Sequence, residues 1–309
     1  MSAAGVSKDN MNAGNPNLTL QQFDETSPVP LLQSILPKPL LYESHCHTPL
    51  CNHAQGDPPE YAEAAVAAGL KGIIFTCHCP LPDEHSAWVR MRPDEYEAYH
   101  AMIAATREVY SDQLDVRAGL ESDYFPGVEP WLEKLHALTP LNHVLGSVHP
   151  QLPEYEDAYF NGDAFAFQQV YFDHLAQAAE TGLFDTLAHP DLVKNLFPDK
   201  WRFALIQPTI AKALDRIAAT GVAMELNTSG RQKAIPEMNP SASMLGMMRE
   251  RDIPVVLGAD AHVPQRVAEG YIDAMQTLQQ VGYTEINYFL DRKRQTVAIQ
   301  DALASLSPA

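Results

Sequence analysis

The stretch Leu41-Tyr42-Glu43-Ser44-His45-Cys46-His47, with His53 just behind it, decides how this chain reads. It is a short run of strand character that ends in two histidines one residue apart. In a strand, residues i and i+2 project from the same face. His45 and His47 can therefore aim two imidazoles at one point, which is how two ligands of one metal ion are supplied. A lone His-x-His is a weak sign, because histidine pairs also occur by chance. The rest of the chain has to show whether this pair is one corner of a larger constellation.

Working outward, apolar and β-branched runs recur near 40–44, 72–77, 114–120, 143–148, 183–188, 222–227, 254–259 and 285–289. Between them lie segments with helical spacing: Glu60–Leu70, Asp94–Tyr110, Ala164–Thr181, Ala204–Thr220, Ser241–Asp252 and Arg266–Val281. Strands alternating with helices predict βα units around a parallel sheet. Seven or eight units favour a closed barrel over an open sheet, and 309 residues suffice for one such domain. No Gly-x-Gly-x-x-Gly follows the first run and no Gly-x4-Gly-Lys-Ser/Thr occurs. Dinucleotide and P-loop chemistry therefore drop out.

The ends of these runs carry the chemistry. They are His45 and His47, with His53 in the following loop, then His78, Glu121, His149-Pro150, His189-Pro190, Glu225 and Asp260-Ala261-His262. In a βα barrel the C-terminal ends of the strands form the active-site face. Prolines behind His149 and His189, and two residues beyond His78, stop their strands, since proline cannot donate to the ladder. Any single member could be a surface histidine or a capping carboxylate. Seven histidines, with Glu121 and Asp260 among the carboxylates, on successive strand ends are not independent accidents. His100, His136, His143 and His174 fall elsewhere and need no such reading, while His85 sits in a loop that could border a substrate.

Composition narrows the partners. The formal net charge of −18 disfavours nucleic acid and anionic membranes. No apolar run approaches the ~18 residues of a membrane helix. Residues 1–36 carry few apolar residues and no secretory signal, and are expected to form a loosely ordered extension to a single domain over 37–309. Cys46, Cys51, Cys77 and Cys79 fit reduced thiols of a cytoplasmic protein packed near a metal site, or one of them acting as a ligand.

On these residues the sequence resembles a known superfamily. His45-x-His47, His53, Phe75-Thr76-Cys77-His78, Gly119-Leu120-Glu121, Gly146-Ser147-Val148-His149, Ala188-His189-Pro190 and Asp260-Ala261-His262 resemble the motifs of the PHP superfamily. The stretches 47–53, 79–82, 114–121 and 225–230 are similar to those of its monofunctional histidinol-phosphate phosphatases. The resemblance runs from about residue 40 to about residue 280. It implies a distorted (β/α)7 barrel of the α/β class holding two to three divalent metal ions. His45, His47, Glu121 and Asp260 would hold the first ion. Glu121, His149 and His189 would hold the second, with Glu121 bridging, and His53, His78 and His262 the third. Cys77 departs from the pattern, since these proteins often carry an acidic residue before the histidine.

Imidazole-rich ligation suits zinc, manganese or iron better than magnesium or calcium. Two or three such ions would make the pocket positive despite the acidic surface, and could activate water at neutral pH. The expected activity is hydrolysis of a small anionic phosphate monoester, by resemblance L-histidinol phosphate. The alternatives are another phosphoesterase of the superfamily, acting on a nucleotide or other small ester, and a metal-binding module without catalysis. Glu121 and Asp260 are the expected catalytic carboxylates, with Asp260 also delivering a proton to the leaving alcohol. Arg231, Lys233, Arg266 and His85 are the candidate substrate contacts, because guanidinium and ammonium groups match phosphate.

Overall fold

Parallel strands covered on both faces read as largely apolar runs, and the polar residues they carry here, such as His45 on the first and Glu121 on the fourth, are buried with them. The computed structural model describes residues 38–82 and 85–306. Its strands begin with β1 (Tyr42–Cys46), β2 (Gly72–Phe75), β3 (Asp115–Ala118) and β4 (Leu120–Asp123). They continue with β5 (Val144–Ser147), the two-residue β6 (Thr186–Leu187), β7 (Ala223–Asn227) and β8 (Val255–Gly258). All except β3 are buried end to end.

β1, β2 and β3 form one parallel sheet, and β4 to β8 pair in parallel within a second. The run expected as one strand over 114–120 changes partner at Gly119: β3 pairs with β2, and β4 with β5. A Cβ at Gly119 would press on the carbonyl of His143 and come within 2.9 Å of Thr76 Cγ2, so only glycine lets the chain step across. A bridge from His78 to Glu121 spans that step. On the opposite side Cys46 bridges to Ala261, with His47 N–H donating to Ala261 O at 3.0 Å and Ala261 N–H to His45 O at 3.1 Å. The ring β1, β2, β3/β4, β5, β6, β7, β8 is therefore closed at its C-terminal rim, giving the distorted (β/α)7 barrel.

The run at 285–289 is a strand, β9 (Glu285–Leu290), but not a stave. It joins β8 through Val256 and Asn287 and folds back on β10 (Lys293–Ala298) as an antiparallel hairpin. Tyr288 stacks on Tyr42 of β1 with ring centroids 4.6 Å apart. The hairpin thus sits against both β1 and β8.

The helices are α1 (Pro58–Ala67), α2 (Tyr96–Val109), α3 (Glu129–His136), α4 (Pro153–Tyr159), α5 (Ala164–Glu180), α6 (Phe203–Thr220), α7 (Ala242–Arg249), α8 (Tyr271–Val281) and α9 (Ile299–Ser305). Six of them coincide with the expected segments, with α8 starting five residues later than expected. Pro264–Arg266 forms a separate turn, and Gly270 enters α8 with φ 74°. On α6, Ile206, Ile210, Leu214 and Ile217 are all buried, a helical stripe facing the core. The expectation for residues 1–36 lies outside the described residues. Among the described residues no helix is long and apolar enough to cross a membrane.

Candidate metal centre at the barrel mouth

Glu121 is the centre of the site. It lies on β4, is 1 % exposed, and is reached by five imidazoles. Its Oε1 is 3.0 Å from His189 Nε2 and 3.4 Å from His149 Nε2. Its Oε2 is 2.9 Å from His78 Nδ1, 3.3 Å from His45 Nε2 and 3.6 Å from His47 Nε2. One carboxylate therefore faces two separate groups of nitrogens, one with each oxygen.

Asp260 stands across from it at the end of β8. Its Oδ1 is 3.1 Å from His47 Nε2 and 3.6 Å from His45 Nε2. His53 and His262 complete the ring of imidazoles, with centroids 4.5 Å apart. Each uses Nδ1 on a backbone carbonyl: His53 on Cys51 O at 2.7 Å, His262 on Asp260 O at 3.0 Å. Such bonds fix the tautomer and leave Nε2 as the free ligand atom. His189 and Asp260 both hold left-handed backbone, at φ 29° and 51°. Non-glycine residues in that region carry strain that the surroundings must impose, and it concentrates at functional sites.

Burial pushes the Glu121 and Asp260 carboxyls up, but the imidazoles around each hold it well below the carboxylate range. Burial drives His78 down to about 3 and His262 to about 2. His47 and His149 resist the same penalty because carboxylates face them, and rise to about 9 and about 10.

These donors fit divalent cations. His45 Nε2, His78 Nδ1, His262 Nε2 and Glu121 Oε2 are all buried without a hydrogen bond. Native structures rarely leave so many polar atoms unmatched in one place, and ligand atoms converging on an ion are one reason that fits this donor set. His45, His47 and Glu121 come close enough to share one ion, as do His47, His78 and His262.

The residues behind the ligands were less visible in the sequence. Glu225 on β7 accepts His45 Nδ1–H at 2.7 Å through Oε1 and the His189 N–H at 2.8 Å through Oε2. It thereby orients one ligand and the backbone of another, although it is 180 residues from His45. Asp123 lies 3.2 Å from His149 Nδ1 and accepts from Arg90 Nη2 at 2.7 Å. Arg90 is itself buried and also donates to Cys79 O. His78, Asp123 and His149 form a further group that could hold an ion.

All nine expected ligands gather here. The other expected contacts divide. Lys233 and Arg266 line the cavity of about 370 Å³ over the centre, and Arg266 keeps Nη2 buried without a partner. Arg231 does not line it: Nη1 is paired with Asp273 on α8 at 2.7 Å, which draws the guanidinium to the exterior. His85 does not line it either, and stacks on Phe125 with centroids 5.0 Å apart. His100, His136, His143 and His174 bond to Thr139, Ser122, Thr186 and Tyr155. The four cysteines are buried and unbridged. Cys77 accepts from Thr48 N–H at 3.4 Å and stands beside His47, where it and Cys51 could join a ligand group. Burial pushes the Cys77 thiol well up, which disfavours the thiolate a metal requires.

Fold and site together define a βα barrel with buried His, Asp and Glu clusters suited to metal ions at the C-terminal ends of its strands. The chain belongs to the PHP domain family, whose pattern matches residues 43–229. It is 39 % identical over 265 residues to the Deinococcus radiodurans protein named "Probable histidinol-phosphatase", covering 82 % of this chain and 98 % of that one. It is 28 % identical over 258 residues to the Bacillus subtilis histidinol-phosphatase, covering 74 % of this chain and 96 % of that one. Its fold is similar to that of the Lactococcus lactis histidinol phosphate phosphatase, solved with zinc, L-histidinol and phosphate. That match has a TM-score of 0.68 at 19 % identity, covering 84 % of this chain and 99 % of the other.

Proposed function

We propose that this protein hydrolyses L-histidinol phosphate to L-histidinol and phosphate, using two to three zinc, manganese or iron ions. The observation that carries this reading is Glu121, whose two oxygens face two groups of imidazoles beneath a cavity lined by Lys233 and Arg266. Its likeness to two histidinol-phosphatases over most of its length supports the choice of substrate.

His45, His47, Glu121 and Asp260 would hold one ion; Glu121, His149 and His189 a second; His53, His78 and His262 a third. Bound ions of this kind supply Lewis acidity and a nucleophile at neutral pH. The chain's own part is orientation and charge. Glu225 and Asp123 hold the rings of His45 and His149 in place. Lys233 and the free arm of Arg266 line the cavity and would receive phosphate oxygens, offsetting the repulsion of the acidic surface. Asp260 Oδ2 accepts from Ser229 Oγ at 3.0 Å and Asn227 Nδ2 at 3.4 Å. Those bonds favour its ionised form, so we read Asp260 as a ligand and acceptor in place of the expected proton donor to the leaving alcohol.

We read residues 37–309 as the catalytic unit and 1–36 as an extension to it. Four unbridged thiols support a reducing, cytoplasmic setting. The deciding experiment measures kcat/KM on histidinol phosphate beside a nucleotide and a general phosphate monoester, with metal content determined on the same sample. A clear preference for histidinol phosphate supports the reading. Equal rates would mean a broader phosphoesterase, and no phosphate release from metal-loaded protein would mean a binding module.

A further inference from the structure

The hydrolytic centre makes no use of the apolar part of the cavity lining. Trp88 lines the cavity, yet it is 64 % exposed. Tryptophan is highly buried on average, so an exposed indole at a cavity mouth asks for a reason.

The backbone beneath it is firmly held. Asn52 Nδ2 donates to the carbonyls of Ala87 and Arg90 at 3.2 and 3.0 Å. Ser86 donates to Glu154 of α4 through its N–H at 2.8 Å and its hydroxyl at 2.5 Å. Arg90 is anchored on Asp123 and Cys79 O. The loop behind β1, strand β4 and helix α4 thus pin the short turn Ala87–Val89 from three sides. The indole is presented by a fixed scaffold.

Around the mouth the lining is divided. Trp88 and Val89 follow β2, Leu152 follows β5 and Leu192 follows β6, while Lys233 and Arg266 follow β7 and β8. The Ser86–Glu154 bonds draw the β2 and β5 segments together, so the apolar residues form one arc and Lys233 and Arg266 another; Arg90, which also lines the cavity beside Val89, is already paired with Asp123. A phosphate ester has the same division. Its dianion suits the cationic arc, which leaves its organic group over the apolar one. An indole face offers stacking to a planar ring and attraction to a cationic one. Among the described residues lining the cavity, the carboxylates are Glu121 and Asp260, and both already face imidazoles. Neither is free to select a cationic leaving group.

We infer that Trp88 is the specificity-determining contact for the leaving group, its indole stacking on a planar ring carried by the ester. The inference rests on the phosphatase reading above and adds what selects the alcohol. The test compares wild type, Trp88→Ala and Trp88→Phe on histidinol phosphate, 2-phenylethyl phosphate and ethanolamine phosphate, all metal-loaded. Stacking of this kind predicts a loss of roughly five- to thirtyfold in kcat/KM for Trp88→Ala on the two ring-bearing esters. The loss should fall mainly on KM, with less than a twofold change on ethanolamine phosphate, and Trp88→Phe should recover most of it. An equal loss on all three esters, or none, overturns the inference. So does a concentration-dependent mass in wild type that Trp88→Ala abolishes with the ester ratios unchanged, because the indole would then be a contact between copies. If wild type ignores histidinol phosphate while Trp88→Ala still loses its preference for a ring, the substrate reading falls and Trp88 stands. If wild type hydrolyses histidinol phosphate and the ratios do not move, Trp88 falls and the substrate reading stands.

Discussion

Glu121 is the residue on which most of the site depends, because two groups of imidazoles share it. Glu121→Gln keeps the shape but removes the charge that offsets two cations. It is expected to lose bound metal and turnover together, read by metal analysis and phosphate release on the same sample; full metal content with near-normal turnover would refute the bridge. Asp260 separates differently. With Oδ2 held as an acceptor by Ser229 and Asn227, Asp260→Asn should reduce turnover of histidinol phosphate and p-nitrophenyl phosphate by similar factors at matched metal occupancy. A much larger loss on histidinol phosphate, whose alcohol needs a proton, would restore Asp260 as general acid. The gathering of the nine expected ligands was legible in the sequence because each ends a strand or follows one closely, and a barrel brings strand ends together whatever their separation. Glu225, Asp123 and Arg90 were not legible in their roles. Their partners are fixed by the closed ring rather than by local spacing, as the 180 residues between Glu225 and His45 show. Arg231 looked like a phosphate contact from its place after β7, and only the tertiary fold shows Asp273 taking it.

At the scale of elements, the sequence pattern gave the long helices and most strands but misplaced the seams. A seven- or eight-residue helix such as α4 or α3 shows too few turns for its period to stand out. The step at Gly119 is invisible to pattern because both halves remain apolar. The long helices lend themselves to a test that leaves the chemistry alone. Ile210 lies fully buried on α6, which packs along α5, far in sequence from any ligand. Ile210→Ala removes buried methyl groups and leaves a cavity, so it should cost about 2–5 kcal/mol of stability. Denaturant unfolding should show that loss while kcat/KM at low temperature stays near wild type. Gly258 offers the opposite case. A Cβ there would collide with Glu225 Oε1 and approach His45 Cβ within 2.7 Å. Gly258→Ala should therefore displace the carboxylate that orients His45, weakening metal retention more than it lowers the melting temperature.

For the molecule as a whole, the centre is both a catalytic device and a store of protons. Without metal, His47 and His149 serve as counterions to Glu121, Asp260 and Asp123, which raises them to about 9 and about 10. Their folded values lie above the ordinary histidine value, so the stability they contribute is fully present below pH ~6.5. It is lost as pH rises through 9 and then 10. A metal ligand must be unprotonated, so cations taking up their places expel those protons. Loading zinc into chelator-stripped protein at pH 8 is therefore expected to release protons, measured in weakly buffered solution with a pH-stat. The release should shrink as the starting pH passes 9 and nearly vanish beyond 10. An ion held by residues that only the fold brings together favours the folded chain, so free metal at a hundredfold its Kd should add up to about 2.7 kcal/mol, seen as a rise of several degrees in Tm. Zinc uptake with no proton release at pH 8 would mean that His47 and His149 are already neutral in the stripped protein, and that something other than imidazolium balances the carboxylates around Glu121.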